Sequence, residues 1–116
     1  MPNPPHYSPC KVAGNFLFTS GQLPIVDMES KEVPDSVAEQ TRIVLDKVEA
    51  LLVENGMDRS HIVKTTAFIT DINDWDAVND AYKEFFGEDH KPARSVIPCS
   101  ELHFGCKIEL EAIAMQ

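Results

Sequence analysis

The sequence predicts an α+β fold, a two-layer sandwich in which two helices pack on one face of a mixed β-sheet. Three observations predict this class. The chain has 116 residues, which suits a single domain over residues 1–116 with one hydrophobic core. Its segments read in the order hairpin, helix, strand, helix, strand, strand. Each helix lies between strands and has its apolar residues on one side only, so the economical arrangement is one helical layer on one sheet.

The first half of the chain predicts a hairpin followed by a helix. In "CKVAGNFLFTSGQ", Gly14-Asn15 forms the turn and residues 16–20 form the second strand. Ser36 followed by Glu39 is typical of a capping box at a helix start, and Gly56 is expected to end that helix. The apolar residues between them recur at helical spacing: Val37, Val44, Leu45, Val48, Leu51 and Leu52.

The second half predicts a strand, a helix and two more strands. "HIVKTTAFITD" is β-branched and alternates, which is typical of a strand. Asn73 or Asp74 is expected to cap the next helix, and Gly87 to end it. The apolar face of that helix comprises Trp75, Val78, Tyr82, Phe85 and Phe86. Residues 93–102 and 107–114 form the last two strands, and their short connection predicts an antiparallel pair.

The face of the sheet away from the helices has no partner within the chain. Apolar residues occur on both faces of the strands, at Phe16, Phe18, Phe68 and Ile69. Because exposed apolar surface of this extent marks an interface, we expect another copy of the chain to cover it.

Charge and composition exclude several classes of function. The formal net charge of −9 disfavours binding to nucleic acid or to an anionic membrane, both of which require a basic surface. No apolar run approaches the roughly 18 residues of a membrane span. The N-terminal "MPNPPHYSP" lacks the basic region and apolar core of a secretory signal, so we expect a cytoplasmic protein.

The three cysteines predict free thiols. Cys10, Cys99 and Cys106 are odd in number and have no close pair, which argues against a disulfide framework. The spacing of Cys99 and Cys106 is too wide for a typical zinc site, and only His90 and His103 are near. We therefore expect no metal site.

The first candidate for chemistry is Arg94 in "HKPARSVIP". Strand alternation places it on one face with Val96 and Pro98. Two interpretations stay open, of which position alone favours the first. The arginine forms a surface ion pair of little energetic value, or its planar guanidinium binds a carboxylate or phosphate through two hydrogen bonds.

The last strand adds a carboxylate. In "KIELEAIA", Lys107, Glu109 and Glu111 share the face opposite the apolar residues. If the last two strands pair, one glutamate lies near Arg94. It is then either the salt-bridge partner of the arginine or an acid/base beside an anion-binding group. Glu111 is expected to be solvated.

Ser20 and Gly21 end a strand in "FTSGQLP". A glycine there allows close approach of a ligand, although a simple turn is the commoner explanation. Tyr7 lies in the irregular N-terminal arm, where it serves as a hydrophobic anchor or supplies a pocket hydroxyl. The sequence has no Ser/Cys–His–Asp order and no phosphate-binding glycine loop.

With these residues in place, the chain resembles the RidA/YjgF family of imine and enamine deaminases from Tyr7 to Ala114. "GNFLFTSGQLP" is similar to the strand and S-G-Q-x-P turn of the family. "VKTTAFITDINDWDAVNDAYKEFF" resembles its central strand and second helix, and "KPARS" followed by "IELEAIA" resembles its C-terminal signature. Three such segments, in order and at compatible spacing, form a specific signal.

The resemblance implies a chorismate-mutase-like sandwich assembled as a homotrimer. The sheets then face the trimer interior, and a cleft lies between each pair of subunits. The implied activity is hydrolysis of 2-aminoacrylate-type enamines or 2-imino acids to 2-keto acids and ammonium, without a cofactor. Two alternatives stay open: a non-catalytic module that binds small carboxylates, and a ribonuclease or translation inhibitor, which the acidic composition disfavours.

The resemblance also assigns roles to residues. Arg94 matches the arginine that holds the substrate carboxylate, and Glu109 matches the glutamate that positions the attacking water. Four more positions match residues that line the substrate: Tyr7, Ser20, Gly21 and Val96. Val96 stands where the family often has cysteine, so a contact through its backbone is retained while a thiol is lost.

Three further departures from the family pattern are Pro9, His103 and Pro98. Pro98 lies inside a predicted strand and therefore indicates a sheet edge or a bulge.

Overall fold

Within residues 3–116, five strands and two helices follow one another in the order that the sequence predicts. A computed structural model describes residues 3–116. In chain order the elements are β1 (Cys10–Ala13), β2 (Phe16–Thr19), α1 (Val37–Glu54), β3 (Ile62–Ile69), α2 (Trp75–Phe86), β4 (Ala93–Pro98) and β5 (Ile108–Met115). The predicted α+β class, with a mixed sheet and two helices, is confirmed.

The strands form one sheet in the order β1-β2-β5-β3-β4. β3 and β4 are parallel and the other neighbours are antiparallel. The predicted pairing of the last two strands is wrong, because β3 lies between them. Helix α2 returns the chain to the start of β3, so β4 must run parallel to β3 at the edge. The segment after β4 then passes the end of β3, where the Thr70 N–H donates to the Lys107 carbonyl at 3.2 Å.

Local signals determine where the first helix begins and ends. The Ser36 Oγ accepts a hydrogen bond from the Glu39 N–H at 3.2 Å, which satisfies one of the unpaired donors at the start of α1. Asn55 is the C-cap residue, and Gly56 follows it with a φ of 76°. The left-handed backbone there is readily adopted only by glycine.

The second helix begins where the sequence predicts, but its cap residue does not make the expected hydrogen bond. Asp74 occupies the cap position of α2 but makes no capping hydrogen bond with its side chain. A short 3-10 turn, Ile72–Asp74, precedes the helix, and the Asp71 Oδ1 accepts from the Asn73 N–H at 2.9 Å. The side-chain cap therefore lies three residues upstream. Gly87 ends the helix with a φ of 77°, as predicted.

The core lies between the helices and one face of the sheet. Alternate residues of β5 are buried against α1, and the intervening ones face away. The fully buried apolar residues are Leu17, Val44, Leu45, Val48, Leu52, Ile62, Ala67, Ile69, Val78, Ile108, Leu110 and Ala114. On the other face Phe16 and Phe18 are each 41 % exposed. The sheet therefore has one covered face and one open apolar face.

Arg59 joins the two helices. Its guanidinium donates to both carboxylate oxygens of Glu49 on α1, from Nε at 2.9 Å and from Nη2 at 2.6 Å. Its Nη1 donates to the carbonyl of Phe85 on α2 at 2.6 Å, and its Cζ lies 3.9 Å from the ring centroid of that residue. The hydrogen bonds from Arg59 to the Glu49 carboxylate lower the pKa of Glu49 below its usual value.

Strand β4 lies at one edge of the sheet, next to β3, and ends at Pro98, earlier than the predicted 93–102. The Cys99 N–H donates to the carbonyl of Ile69 on β3 at 2.8 Å. Because successive residues of a strand turn their N–H groups to alternate sides, the nitrogen of Pro98 faces the outer edge. The proline therefore removes no hydrogen bond to β3, and the edge position expected for it is confirmed.

A helix that could cross a membrane would have to be long and uniformly apolar. Neither of the helices found in residues 3–116 meets both requirements.

Candidate functional site

Arg94 lies on the helix-covered face of the sheet, near the start of β4. It pairs with the buried Thr65 of β3, so both side chains point toward α2. The Cζ of Arg94 is 4.8 Å from the ring centroid of Tyr82 and 5.3 Å from that of Trp75. Among residues 3–116, no carboxylate lies within 4.0 Å of the guanidinium. The surface ion pair that position alone favoured is therefore not formed within the described part of the chain.

Two aromatic residues hold the guanidinium in place. The hydroxyl of Tyr82 is hydrogen-bonded to the Thr65 Oγ1 at 2.7 Å, and both residues are buried. Burial raises the pKa of Tyr82 to about 12, so the phenol stays neutral. The faces of the two rings attract a cation. The sequence signal for this contact is the spacing of Trp75 and Tyr82, which are seven residues apart on one helix face, but that spacing by itself predicts only an apolar face.

Val96 follows Arg94 on the same face and is half-buried against the core. Together Arg94, Val96, Trp75 and Tyr82 form what we call the arginine cluster.

A second group of predicted site residues surrounds Gly21. A Cβ built on Gly21 would lie 2.9 Å from the Cδ of Glu109 and closer still to its Oε2. The carboxyl group therefore occupies space that any other residue at position 21 would fill. Glu109 pairs with Phe68, so its side chain belongs to the open face of the sheet. The sequence placed Gly21 and Glu109 at the site separately, and only the folded chain brings them into contact.

The N-terminal arm is fastened to the same place. The Ser20 Oγ donates to the carbonyl of Ser8 at 2.6 Å, and the Ser20 N–H donates to that of Pro9 at 2.8 Å. These bonds hold the segment that carries Tyr7, whose side chain is 67 % exposed. We call Tyr7, Ser20, Gly21 and Glu109 the carboxylate cluster.

Lys47 of α1 binds the loop that follows Gly21. The Lys47 Nζ donates to the carbonyls of Leu23 at 2.8 Å and Ile25 at 3.0 Å. Desolvation by burial lowers the pKa of Lys47. Burial also raises the pKa of the nearby Cys106 thiol, and the negative charge of Glu109 adds to that effect.

The two clusters lie apart within one chain. Arg94 faces the helices and Glu109 faces away from them, and β3 separates their strands by two strand spacings, about 10 Å. The expectation that Arg94 and a glutamate of the last strand lie near each other within the chain is therefore wrong. The two residues are separated because β3 lies between their strands, and because Arg94 pairs with Thr65 on one face of β3 while Glu109 pairs with Phe68 on the other. The arginine cluster and the carboxylate cluster therefore do not meet within one chain.

All three cysteines are free thiols in the structure. Over residues 3–116 the histidines, cysteines and acidic residues form no group of three or more that could hold a metal ion.

Comparison with known proteins shows extensive similarity. The family model described as "Endoribonuclease L-PSP" matches residues 2–116. The 2-iminobutanoate/2-iminopropanoate deaminase of Escherichia coli K12 is 45 % identical over 105 residues, which are 89 % of this chain and 81 % of that protein. A RutC family protein of Pyrococcus horikoshii is 41 % identical over 108 residues, 93 % of this chain and 85 % of that protein.

Solved structures share the fold. The crystal structure of E. coli TdcF with bound serine has a TM-score of 0.89 at 37 % identity, covering 98 % of this chain and 91 % of that one. The YjgF gene product of E. coli has a TM-score of 0.87 at 42 % identity, covering 95 % of this chain and 87 % of that one.

Proposed function

The chain belongs to the RidA/YjgF family, and on that premise we propose that it hydrolyses 2-aminoacrylate-type enamines and 2-imino acids to 2-keto acids and ammonium. Relatives that carry the name of an imine deaminase support the reaction class. The observation that carries the proposal is the environment of the Arg94 guanidinium. The guanidinium is held against two aromatic rings and has no carboxylate partner in residues 3–116, so it is available to bind an anion.

In the proposed mechanism Arg94 binds the substrate carboxylate. Two parallel N–H donors match the two carboxylate oxygens, which fixes the orientation of the adjacent C=N carbon as well as the position of the anion. Tyr82 and Trp75 lie beside the guanidinium and restrict its position, so little side-chain entropy is lost when the substrate binds.

Glu109 positions the water that attacks. The water oxygen bonds to C2 of the imino acid while a proton passes to the nitrogen, with the Glu109 carboxylate accepting and returning protons. The C–N bond of the resulting carbinolamine then breaks, ammonia leaves, and the oxygen remains as the keto group. An imine is reactive, so orientation of the substrate and of one water supplies most of the acceleration. Gly21 leaves its backbone accessible beside the carboxylate.

A complete site requires two copies of the chain. One ligand cannot contact side chains on opposite faces of a sheet, so we place the arginine cluster of one copy beside the carboxylate cluster of the next. A homotrimer supplies three such clefts and covers the apolar open face, where Phe16 and Phe18 are exposed.

The direct test follows keto-acid formation from freshly generated 2-aminoacrylate and 2-iminobutanoate. We expect acceleration over the spontaneous reaction, and an Arg94→Lys substitution that lowers kcat/KM about 100-fold, since it keeps the charge but loses the paired donors. Arg42→Lys on the exposed surface of α1 is the matched control and leaves the rate unchanged. A wild-type rate equal to the spontaneous one for every imine tested would refute the proposal.

Subunit mixing tests the shared cleft. Arg94→Ala and Glu109→Ala are each expected to be inactive alone. When the two variants assemble at random, about a quarter of the clefts receive both intact residues, because each cleft draws one cluster from each of two neighbours. Recovery of about a quarter of the wild-type activity is therefore expected after co-refolding. If no activity returns in mixed oligomers, the site does not lie between copies.

The second candidate function is a binding module without turnover. TdcF, a relative of the same fold, was crystallised with bound serine, which carries an α-carboxylate. Micromolar binding of small carboxylates, lost in Arg94→Lys, together with no acceleration of imine hydrolysis would favour this alternative.

The family model is described as an endoribonuclease, so ribonuclease activity is a further candidate function. The net charge of −9 disfavours it. RNA cleavage that persists through ribonuclease-free purification and is lost in the Arg94 variant would be required to support it.

A further inference from the structure

A cavity beside Arg94 is larger than a small imino acid needs. It has a volume of about 420 Å³ and lies between the second half of α2 and the residues that lead into β4. The non-hydrogen atoms of 2-iminobutanoate number about seven, and at no more than about 30 Å³ each they fill at most half of it. A substrate held by Arg94 would therefore leave much of the cavity for its side chain.

The walls of the cavity differ in character. Tyr82 and Phe86 form an apolar wall, with their ring centroids 5.8 Å apart. His90 closes one end, where its Nε2 donates to the carbonyl of Ile62 at 3.0 Å and its ring meets Phe86 edge-on. This wall suits the methylene groups of a substrate side chain.

The rim of the cavity is cationic although the protein is acidic. Arg94, Lys83 and Lys91 line it, and Glu88 is the only acidic residue among the lining residues. Lys91 is paired with Glu88 at 3.9 Å, but both side chains are highly exposed, so the pair contributes little. Within residues 3–116, Lys83 has no carboxylate within 4.0 Å. Three of the ten cationic side chains of a chain with net charge −9 thus meet at one cavity.

We propose that the cavity selects 2-imino acids whose side chain ends in a second carboxylate. This inference rests on the proposed function. Arg94 binds the α-carboxylate, the methylene groups lie along Tyr82 and Phe86, and the terminal carboxylate meets the ammonium groups of Lys83 and Lys91. Flexible lysines rather than a rigid guanidinium suit side chains of different length. Hydrolysis replaces the C=N bond by C=O with the oxygen of water and releases ammonia, leaving the second carboxylate unchanged.

The test compares two imines that differ in charge and hardly in shape. An amino-acid oxidase generates them in place from glutamate and from glutamine, with catalase present, and keto-acid formation gives kcat/KM for each. We expect at least a tenfold preference for the glutamate imine at low ionic strength. The preference should shrink as salt is added, because the interaction is electrostatic.

Substitutions then locate the preference. Lys83→Met and Lys91→Met, both at exposed positions, are each expected to lower kcat/KM for the glutamate imine about fivefold more than for the glutamine imine. Arg42→Met removes the same charge from the surface of α1, away from the cavity, and should leave the ratio unchanged.

Failure of the inference can be distinguished from failure of the proposed function. If 2-iminobutanoate is hydrolysed but the glutamate and glutamine imines react equally, or if Arg42→Met changes their ratio as much as the cavity variants do, the inference is overturned and the deaminase activity stands. If no imine is hydrolysed, both are overturned.

Discussion

Replacing Gly21 by alanine tests whether the position of the Glu109 carboxylate determines activity. The added Cβ would lie 2.9 Å from the Cδ of Glu109. Non-bonded carbon atoms prefer separations of about 3.5–4.0 Å, so the carboxyl group must retreat by about 1 Å. A misplacement of that size can reduce a rate about 100-fold, which corresponds to about 2.7 kcal/mol of transition-state stabilisation.

The same substitution should hardly affect folding. The backbone of Gly21 is outside the left-handed region, so alanine introduces no strain there. Glu109 is only half-buried, and its flexible side chain can move without disturbing the core. We therefore expect kcat/KM for 2-iminobutanoate to fall between about 10-fold and 100-fold while the thermal unfolding midpoint changes by no more than about 2 °C.

A double-mutant cycle supplies the control. In the Glu109→Ala background the new methyl group meets no carboxylate, so Gly21→Ala should have almost no additional effect on kcat/KM. The reasoning is refuted if Gly21→Ala alone keeps more than half of the wild-type activity. It is also refuted if the substitution lowers activity by the same factor with and without Glu109.

Three further substitutions test the stability of the fold. Tyr82→Phe leaves the buried Thr65 hydroxyl without its partner and should lower the free energy of unfolding by about 1–3 kcal/mol in urea titrations. The wild type, but not this variant, should also lose stability between pH 10.0 and about 12. In that range the phenol of Tyr82 ionises in the unfolded chain but stays neutral in the folded one, because its pKa is raised from 10.0 to about 12, and this ionisation favours unfolding. Glu49→Gln should reduce the loss of unfolding free energy that acid causes. The lowered pKa of Glu49 stabilises the fold at pH values above its usual 4.5, and that contribution disappears as the pH falls. If the unfolding free energy of both proteins falls equally steeply with decreasing pH, the contact with Arg59 is contradicted. Leu45→Ala, at a fully buried position, should cost about 2–5 kcal/mol, and a loss below 1 kcal/mol would mean that the core is not packed as described.

Elements with local signals were predictable from the sequence, and pairings between distant segments were not. The end of α2 at Gly87 follows from the need for a left-handed residue after the helix, which neighbouring residues determine. Asp74 occupies the predicted cap position of α2, but several acidic and amide residues compete to make the capping hydrogen bond, and Asp71 rather than Asp74 accepts it. The order of strands depends on which edge α2 returns to, and no local pattern specifies that.

In the candidate site, too, the local features were predictable from the sequence and the contacts between distant segments were not. Strand alternation correctly placed Arg94 and Val96 on one face and Glu109 on the face opposite the apolar residues of β5. Alternation gives the face of a side chain relative to its own strand, and it does not say which strand lies beside it. The separation of Arg94 from Glu109, and the stacking of Arg94 on Tyr82, therefore required the fold.

The proline that ends β4 bears on how the protein behaves at high concentration. An outermost strand offers unpaired N–H and C=O groups to any extended segment that approaches it, and such additions start edge-to-edge aggregation. At Pro98 the outward position carries a ring instead of a donor, and Arg94 places a positive charge on the same strand. A strand arriving from an unfolded neighbour would lose a hydrogen bond at one end of β4 and meet a charged side chain near the other. The sheet is thereby protected from growth at this edge, whatever chemistry the chain performs.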